Sequence, residues 1–489
     1  MLSVAGSSGG SRVAAEGPRL WFPPMAGGIT TTSARLYAMS PCALRTYWEW
    51  GMAPAATGEG TSPVRVNAPN TKIEPFGDST LFPFLPCLTD LEAGTQYYYR
   101  LLYGPTSVPL ANVDWRNTTG SFITARAPGT PYTFCSFGDT HVNQDQLTTT
   151  DVNALSLLDV ALANVQADSP DFLLLLGDDI HTEMYTQGDS ESEADSLWRH
   201  IAMRSRFAEV CRNIPIVFVL GNHEGEQYWR EVLGQSLPTW ALTNRKKIIP
   251  NYPAAINTRG VDHENIFTFV WGDVRHIVLD PFAFTAVQPH SLGGITGSGD
   301  PWDWTLGLEQ YQFLEATLAA NTSNHIMVWM HHKAGGLTTY GRGGAEAAHT
   351  HEWGGKELLG DDGWASHRDV AAGWTKPPHE LLVDAKDAGA NVIHVQGHDH
   401  VYQHDTVDDI EYVVCPRPNS KNYNSGFQTG AGIASGTVIN NSGHLRWEVT
   451  ADRVTCTYVR SCLWADENSN GGSQAYDNGD TSESWYVGT

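Results

Sequence analysis

The sequence predicts a mixed fold, part α+β and part α/β: an N-terminal β-sandwich, then a larger region built on buried parallel strands. Three observations carry that prediction. Between Arg19 and Ala127, short alternating runs are separated by Gly and Pro turns, with no helical period. After the linker-like Ala127-Pro128-Gly129-Thr130-Pro131, apolar strands begin to alternate with helical patterns. Several of those strands are continuously apolar, as strands covered on both faces are; Leu173-Leu174-Leu175-Leu176, between Asp171 and Gly177, is the clearest. At 489 residues the chain exceeds one ordinary core, so two domains are expected.

Taken in order, residues 1–17 are small and polar and read as a disordered lead. The sandwich is expected over 18–127, with strands at Thr30–Met39, Leu44–Glu49, Thr95–Leu102 and Ser121–Thr124. Tyr97, Tyr98 and Tyr99 read as core and rim packing. The second region is expected over 128–489. Its helices are expected at Asp151–Val165, Ser192–Arg212, Leu308–Ala319 and Pro378–Ala388. Ile266–Trp271 and His276–Leu279 form a hairpin around Gly272-Asp273, and Gly443–Thr450 and Arg453–Val459 form another around Ala451-Asp452. A glycine-rich insertion over 335–368 reads as a lid. Beyond Trp464 the chain is polar and is expected to be irregular.

The formal charge of −24 argues against nucleic acid as a partner, because no basic face is available to neutralise phosphates. An anionic substrate would need a local positive centre, which bound cations would supply. No stretch approaches the roughly 20 apolar residues of a membrane span. Met1 to Gly17 has no apolar signal core, while the richness in Gly, Trp and Tyr has an extracellular character. The expectation is a secreted or periplasmic protein whose signal is already removed. None of the seven cysteines forms a C-x-x-C pair; Cys42 with Cys87 and Cys456 with Cys462 are candidate disulfides. Oligomeric state is not readable from the sequence.

The chemistry lies at strand ends, where open α/β sheets bind ligands. Phe134–Phe137 runs into Gly138-Asp139-Thr140-His141, and the leucine run into Gly177-Asp178-Asp179-Ile180-His181. Ile214–Leu220 leads to Gly221-Asn222-His223-Glu224, His325–Met330 to His331-His332, and Asn391–Gln396 to Gly397-His398-Asp399-His400. Each motif alone is weak. Together, in this order, they supply the mixed nitrogen and oxygen donors of a metal centre. Two cations about 3.5–4 Å apart, sharing one carboxylate, clamp the attacking and leaving oxygens of an in-line displacement.

This series resembles the calcineurin-like metallophosphoesterase superfamily, and the sandwich before it resembles the fibronectin III-like N-terminal domain of purple acid phosphatases. The resemblance implies a four-layer αββα domain with a mixed β-sandwich core. It implies one metal ion (Zn, Fe or Mn) held by Asp139, His141, Asp178 and His400. A second would be held by Asp178, Asn222, His331 and His398, with Asp178 bridging. His223 would contact a phosphoryl oxygen or protonate the leaving group, and a metal-bridging hydroxide would be the nucleophile. The implied substrate is a small-molecule phosphate ester, a monoester first. A diesterase or triesterase on the same site is the alternative, and a non-catalytic metal-containing binding protein is a third reading.

One departure stands out. Purple acid phosphatases carry a tyrosine where this chain has His181, so the purple colour is not expected, and His181 is given an auxiliary role. His332 is expected to line the pocket, and Lys333 and Arg342 to contact phosphate. His349, His351 and His367 of the insertion are candidate proton donors, and His349-Thr350-His351-Glu352 a candidate extra metal site. Trp302, Trp304 and Trp353 would form a wall for bulky neutral esters. Asp179 and Asp399 are expected to point away from their neighbours, Asp399 either orienting a ligand histidine or lying on the surface. Asp466 to Asp477 matches a calcium-loop spacing without flanking helices, so a polar tail explains it better.

Overall fold

The computed structural model describes residues 18–53, 64–66, 73–76, 79–84, 86–142, 155–182, 192–288, 305–332, 344–345, 348, 373–421, 433, 435–466 and 476–489. Several expectations lie outside the described residues: the lead 1–17, most of the insertion, with Lys333, Arg342, His349, His351, Trp353 and His367, the pair Trp302 and Trp304, and most of the calcium-like loop.

The N-terminal part holds β1 (Met25–Gly27), β2 (Ala34–Ser40), β3 (Leu44–Gly51), β4 (Val64–Val66), β5 (Ile73–Phe76), β6 (Ser79–Phe84), β7 (Cys87–Leu88), β8 (Gln96–Pro105) and β9 (Arg116–Ile123). They form two antiparallel sheets, β1-β2-β6-β5 with β7 against β2, and β4-β3-β8-β9. Leu36 and Ala38 of the first meet Trp48, Tyr99, Leu101 and Phe122 of the second in one apolar cluster. The unit is tied to the rest of the chain. The Tyr99 hydroxyl lies 2.9 Å from the carbonyl of Arg212, and Arg126 forms a two-pronged ion pair with Asp171 at 2.7 and 2.8 Å.

The second region begins with β10 (Tyr132–Phe137), α1 (Leu155–Asp168), β11 (Leu173–Leu175), α2 (Glu193–Arg206), α3 (Ala208–Cys211) and β12 (Ile216–Phe218). It continues through α4 (Tyr228–Val232), α5 (Leu237–Ile248), β13 (Phe267–Trp271), β14 (Val274–Val278), α6 (Gly307–Ala319), β15 (His325–Trp329), α7 (Pro378–Asp387) and β16 (Asn391–Gln396). It ends with β17 (Tyr402–Val407), β18 (Ile410–Val414), β19 (Thr437–Ile439), β20 (Gly443–Val449), β21 (Arg453–Arg460) and β22 (Thr481–Gly488).

These strands make two mixed sheets. One has the order β12-β11-β10-β20-β21-β22, with its first three strands parallel; the other runs β13-β14-β15-β16-β18-β17-β19, with β14, β15, β16 and β18 parallel. The period-2 alternation of side chains sorts them into layers. Phe134, Leu174, Leu176 and Val217 face Val278, Met327, Trp329 and Ile393 of the other sheet in one shared core. On the outer face of the first sheet, Cys135, Leu173, Leu175 and Phe218 pack against Leu158 and Leu162 of α1 and Leu197 and Ile201 of α2. On the outer face of the second, Ile277, Ile326 and Val328 pack against Leu314 of α6 and Leu382 of α7. The layer order is therefore helix, sheet, sheet, helix. The four leucines are fully buried because their strand is covered on both sides.

Some expectations fail. The tail beyond Trp464 is not all irregular, since β22 pairs antiparallel with β21. The long second helix breaks at Phe207, leaving α2 and α3. The candidate disulfides are absent: all seven cysteines are free thiols. Cys456 lies in the core between the sheets, whereas Cys462 packs with Leu157 and Tyr476 in a separate cluster.

Candidate metal centre

The ends of β10, β11 and β12 meet the ends of β15 and β16 at one edge of the two-sheet core. The backbone there is tightly drawn. Asp139, His141, Asp178, His398 and His400 all have left-handed φ, between 43° and 73°. That region costs an L-residue roughly 1–2 kcal/mol, and Asp is among the residues that visit it. Glycines permit the close approach of the loops. A Cβ on Gly221 would lie 2.2 Å from the Asp178 nitrogen, and one on Gly177, at φ 83°, would lie 2.4 Å from the Gly221 nitrogen.

Glu224 locks two of these loops together. Its carboxylate accepts the amides of Gly221 (2.7 Å), Asp178 (3.0 Å), Asp179 (2.9 Å) and Ile180 (3.4 Å). Sequence reasoning gave this residue no role, although it is the last member of Gly-Asn-His-Glu.

Among the described residues the side chains converge here in three groups, one of them His141, His181 and His223, and the other two each holding a carboxylate. Asp139, His141 and His400 bring ligand atoms within 4.8 Å of one another, and so do Asp178, His331 and His398. Asp178 sits between the groups: its Oδ2 is 3.2 Å from His331 Nε2 and 3.8 Å from Nε2 of both His141 and His223. His400 Nε2 is 3.2 Å from Asp139 Oδ1, and Asn222 Oδ1 is 3.1 Å from His331 Nε2. Backbone contacts aim the carboxylates. His223 N donates to Asp178 Oδ1 at 2.7 Å, and His398 N donates to Asp139 Oδ2 at 3.0 Å.

Charge follows geometry. Burial, then the positive field of Arg417 and neighbouring imidazoles, hold His141 well below the usual histidine range. Burial does the same for His223. These rings are neutral at pH 7 and offer lone pairs, as metal ligation requires. Burial alone would raise Asp178, but His331 and His223 depress it below the usual carboxylate range. Burial opposes the proton on His331, yet Asp178 and Asp139 raise its pKa to about 10. The donor set fits cations. Both ring nitrogens of His141 and Oδ1 of Asp139 are buried without a hydrogen-bond partner, a state costing about 1–3 kcal/mol per group that a bound cation would relieve.

Other expected residues, among those described, also gather here. His181 is buried and stacks on His223 at 4.2 Å, with its ring 5.3 Å from His141. His332 lies 4.4 Å from His398 and edge-on to Phe282. Asp179 and Asp399 are both fully buried, so neither is a surface carboxylate. Asp179 accepts from the Thr140 hydroxyl at 2.9 Å. A further group, Cys135 with Asp168 and His444, lies on the helix-covered face; there Asp168 pairs with Arg446 at 3.0 Å and lies 2.8 Å from His444 Nε2.

Arg417 is the other residue that sequence reading missed. It lies in the loop after β18, and its Nη1 is 3.4 Å from His400 Nδ1. Its signal in the sequence is only the pattern Pro416-Arg417-Pro418.

Comparison with known proteins identifies the fold and the family. The chain superposes on PhoD with a TM-score of 0.64 at 15% identity, covering 98% of this chain and 92% of that one. It superposes on the purple acid phosphatase PPD1 from yellow lupin (Lupinus luteus) seeds with a TM-score of 0.58 at 13% identity, covering 96% of this chain and 74% of that one. At these identities the likeness shows the fold. No curated protein matches the sequence. The profile of the calcineurin-like phosphoesterases matches residues 132–413, more than half of the chain and every one of the five strand-end motifs. The chain belongs to the calcineurin-like phosphoesterase family and is a metal-dependent phosphoesterase.

Proposed function

We propose that the protein is a binuclear metal-dependent phosphatase that hydrolyses small phosphate monoesters, acting after export as a secreted or periplasmic enzyme. The observation that carries the binuclear reading is the position of Asp178, in reach of both His141 and His331. In this reading Asp139, His141, Asp178 and His400 hold one ion, and Asp178, Asn222, His331 and His398 the other. Bound metals supply a water of lowered pKa for attack on phosphorus and a positive field for the phosphoryl oxygens.

The chain's own residues do the rest. His223 is kept neutral by burial, so it donates a hydrogen bond to a phosphoryl oxygen rather than arriving as a charged acid. His181, stacked against it, fixes the plane of that ring. Glu224 holds the Asp178 and Asn222 loops at fixed separation. The N-terminal pair of sheets is read as fibronectin III-like and as a brace rather than a source of catalytic groups.

The test compares kcat/KM for 4-nitrophenyl phosphate with that for bis(4-nitrophenyl) phosphate, on protein loaded separately with Zn, Mn and Fe. The expected ratio is above one and disappears on chelation. A ratio below one moves the assignment to diesters. Hydrolysis of neither ester, with metals bound, overturns the reading.

A further inference from the structure

The parallel strands β15 and β16 lead to the metal centre at one end and open onto a second cavity at the other. That cavity holds about 540 Å³ and lies between the last turns of α6 and α7 and the connections that run from them into the two strands. At about 3.3 Å per residue, β15 separates it from His331 by roughly 20 Å.

The topology makes this end electronegative. α6 and α7 each cross from one strand to the next parallel one, so both run against the strands and finish side by side here. A helix C-terminus carries roughly half a negative elementary charge on its last carbonyls. α6 has no basic residue in its last turn to answer it. α7 has Lys386, which is drawn to Asp387 at 3.0 Å and to Asp409 at 3.6 Å. Two carboxylates also line the cavity. Asp384 is paired with Lys376, so those charges cancel. Glu315 is half-buried and meets no basic side chain among the described residues. Glu315 and the two helix poles together leave about two uncancelled negative charges around one cavity.

The floor has the opposite character. Leu318, Ile326 and Leu381 are buried beneath the cavity and offer it only hydrocarbon. An inorganic cation would leave that floor bare and most of the volume unfilled, and an anion would meet the wrong sign. The carboxamides on the rim are already used: Asn321 Nδ2 donates to the Ser323 carbonyl at 2.8 Å, and Asn324 Nδ2 to the Ala451 carbonyl at 2.8 Å. A cavity of this size, apolar at its base with a few placed polar groups, is the kind that takes a small organic molecule. Charge selects a cation among such molecules. Glu315 and the helix-end carbonyls are acceptors, so that cation must donate N–H bonds.

We propose that this cavity binds a protonated primary amine with a short apolar body. The ammonium donates to Glu315 and the helix-end carbonyls, and the hydrocarbon part lies on Leu318, Ile326 and Leu381. The site is separate from the metal centre and stands or falls independently of the phosphoesterase reading.

The experiment measures, by calorimetry and ligand-observed NMR on full-length, metal-loaded protein, the binding of 2-phenylethylammonium and of its uncharged isostere 2-phenylethanol. At pH 7 the amine is protonated and does not ligate a metal. The expected result is saturable binding of the ammonium, about tenfold tighter than the alcohol and weakening as salt rises. Glu315→Gln should lower the affinity about tenfold, as for loss of a hydrogen bond to a charged group. Ala319→Phe, at an exposed position on the rim, should block the cavity and abolish binding without removing a charge; it carries the test if Glu315→Gln fails to fold. Glu209→Gln, on α3 in the other helix layer, should leave binding unchanged and controls for general attraction to an acidic chain. No saturable binding, equal affinity for ammonium and alcohol, the same response in Glu315→Gln and Glu209→Gln, or undiminished binding in Ala319→Phe would overturn the proposal.

Discussion

The two sheets of the second region contribute unlike halves to one site. β10, β11 and β12 end in Asp139, His141, Asp178, Asn222 and His223, which include both carboxylates of the two ligand groups. β15 and β16 end in His331, His332, His398 and His400, with the buried Asp399 among them. Each ligand group draws from both sheets: Asp139 and His141 need His400, and Asp178 needs His331 and His398. The acidic half is costly to bury alone, because like charges stand close together in a low dielectric. The imidazole half answers that charge. In the absence of metal His331 keeps a proton, with its pKa pushed up to about 10 by Asp178 and Asp139 against the cost of burial. A half-site on either sheet would be neither neutral nor complete, so the centre forms only where the sheets meet.

Removing one member from each half tests whether the two depend on each other. In the proposed reading Asp178 is shared by both ligand sets, so Asp178→Asn should lower activity by about 10³-fold or more, with loss of both metals. His398→Ala removes a member of one set only and should leave one metal bound, at the Asp139, His141 and His400 group. Metal analysis of the purified variants separates the cases, and equal metal loss in both would refute the sharing.

A smaller effect is expected from Glu224→Gln. The amide keeps one acceptor oxygen and turns an NH₂ toward backbone amides that Glu224 now accepts from. Metal affinity should fall about 10–100-fold, as for other groups that orient ligands. Competition with a metal-binding dye measures it. Unchanged affinity would mean that the strand-end loops hold their separation without this carboxylate.

The smallest effect is a pH dependence confined to metal-free protein. The folded pKa of His331 is raised from 6.5 to about 10, so its contribution to stability is complete below pH 6.5 and is lost as pH rises through the folded value. The melting temperature of metal-free protein should therefore fall across that window. Metal-loaded protein should show less of the fall, because a cation replaces the proton. Parallel melting curves would show that the imidazole half does not neutralise the acidic one.

Much of this site was legible because buried parallel strands are continuous apolar runs, and the polar residues that end them are conspicuous. Leu173–Leu176 followed by Gly177-Asp178 is such a place. The rest was hidden for particular reasons. α5 escaped the helical pattern because Asn244 and Arg245 lie on its buried face, Arg245 being neutralised by Glu226 at 2.6 and 2.9 Å. β22 escaped because it is a largely exposed strand, in which Ser482, Glu483 and Ser484 precede the aromatic pair Trp485 and Tyr486. Arg417 comes from a loop remote from every strand-end motif, and only the fold carries it to His400. Glu224 was within a recognised motif, but its work is done on backbone amides of another loop, which no sequence pattern displays.

The central claim is a centre of two metals shared across two sheets, and anomalous diffraction from zinc- or manganese-loaded crystals tests it most directly. The account predicts two peaks about 3.5–4 Å apart, one beside Asp139, His141 and His400 and the other beside Asp178, His331 and His398, with Asp178 touching both. A single peak, or two peaks with Asp178 reaching only one of them, would contradict it.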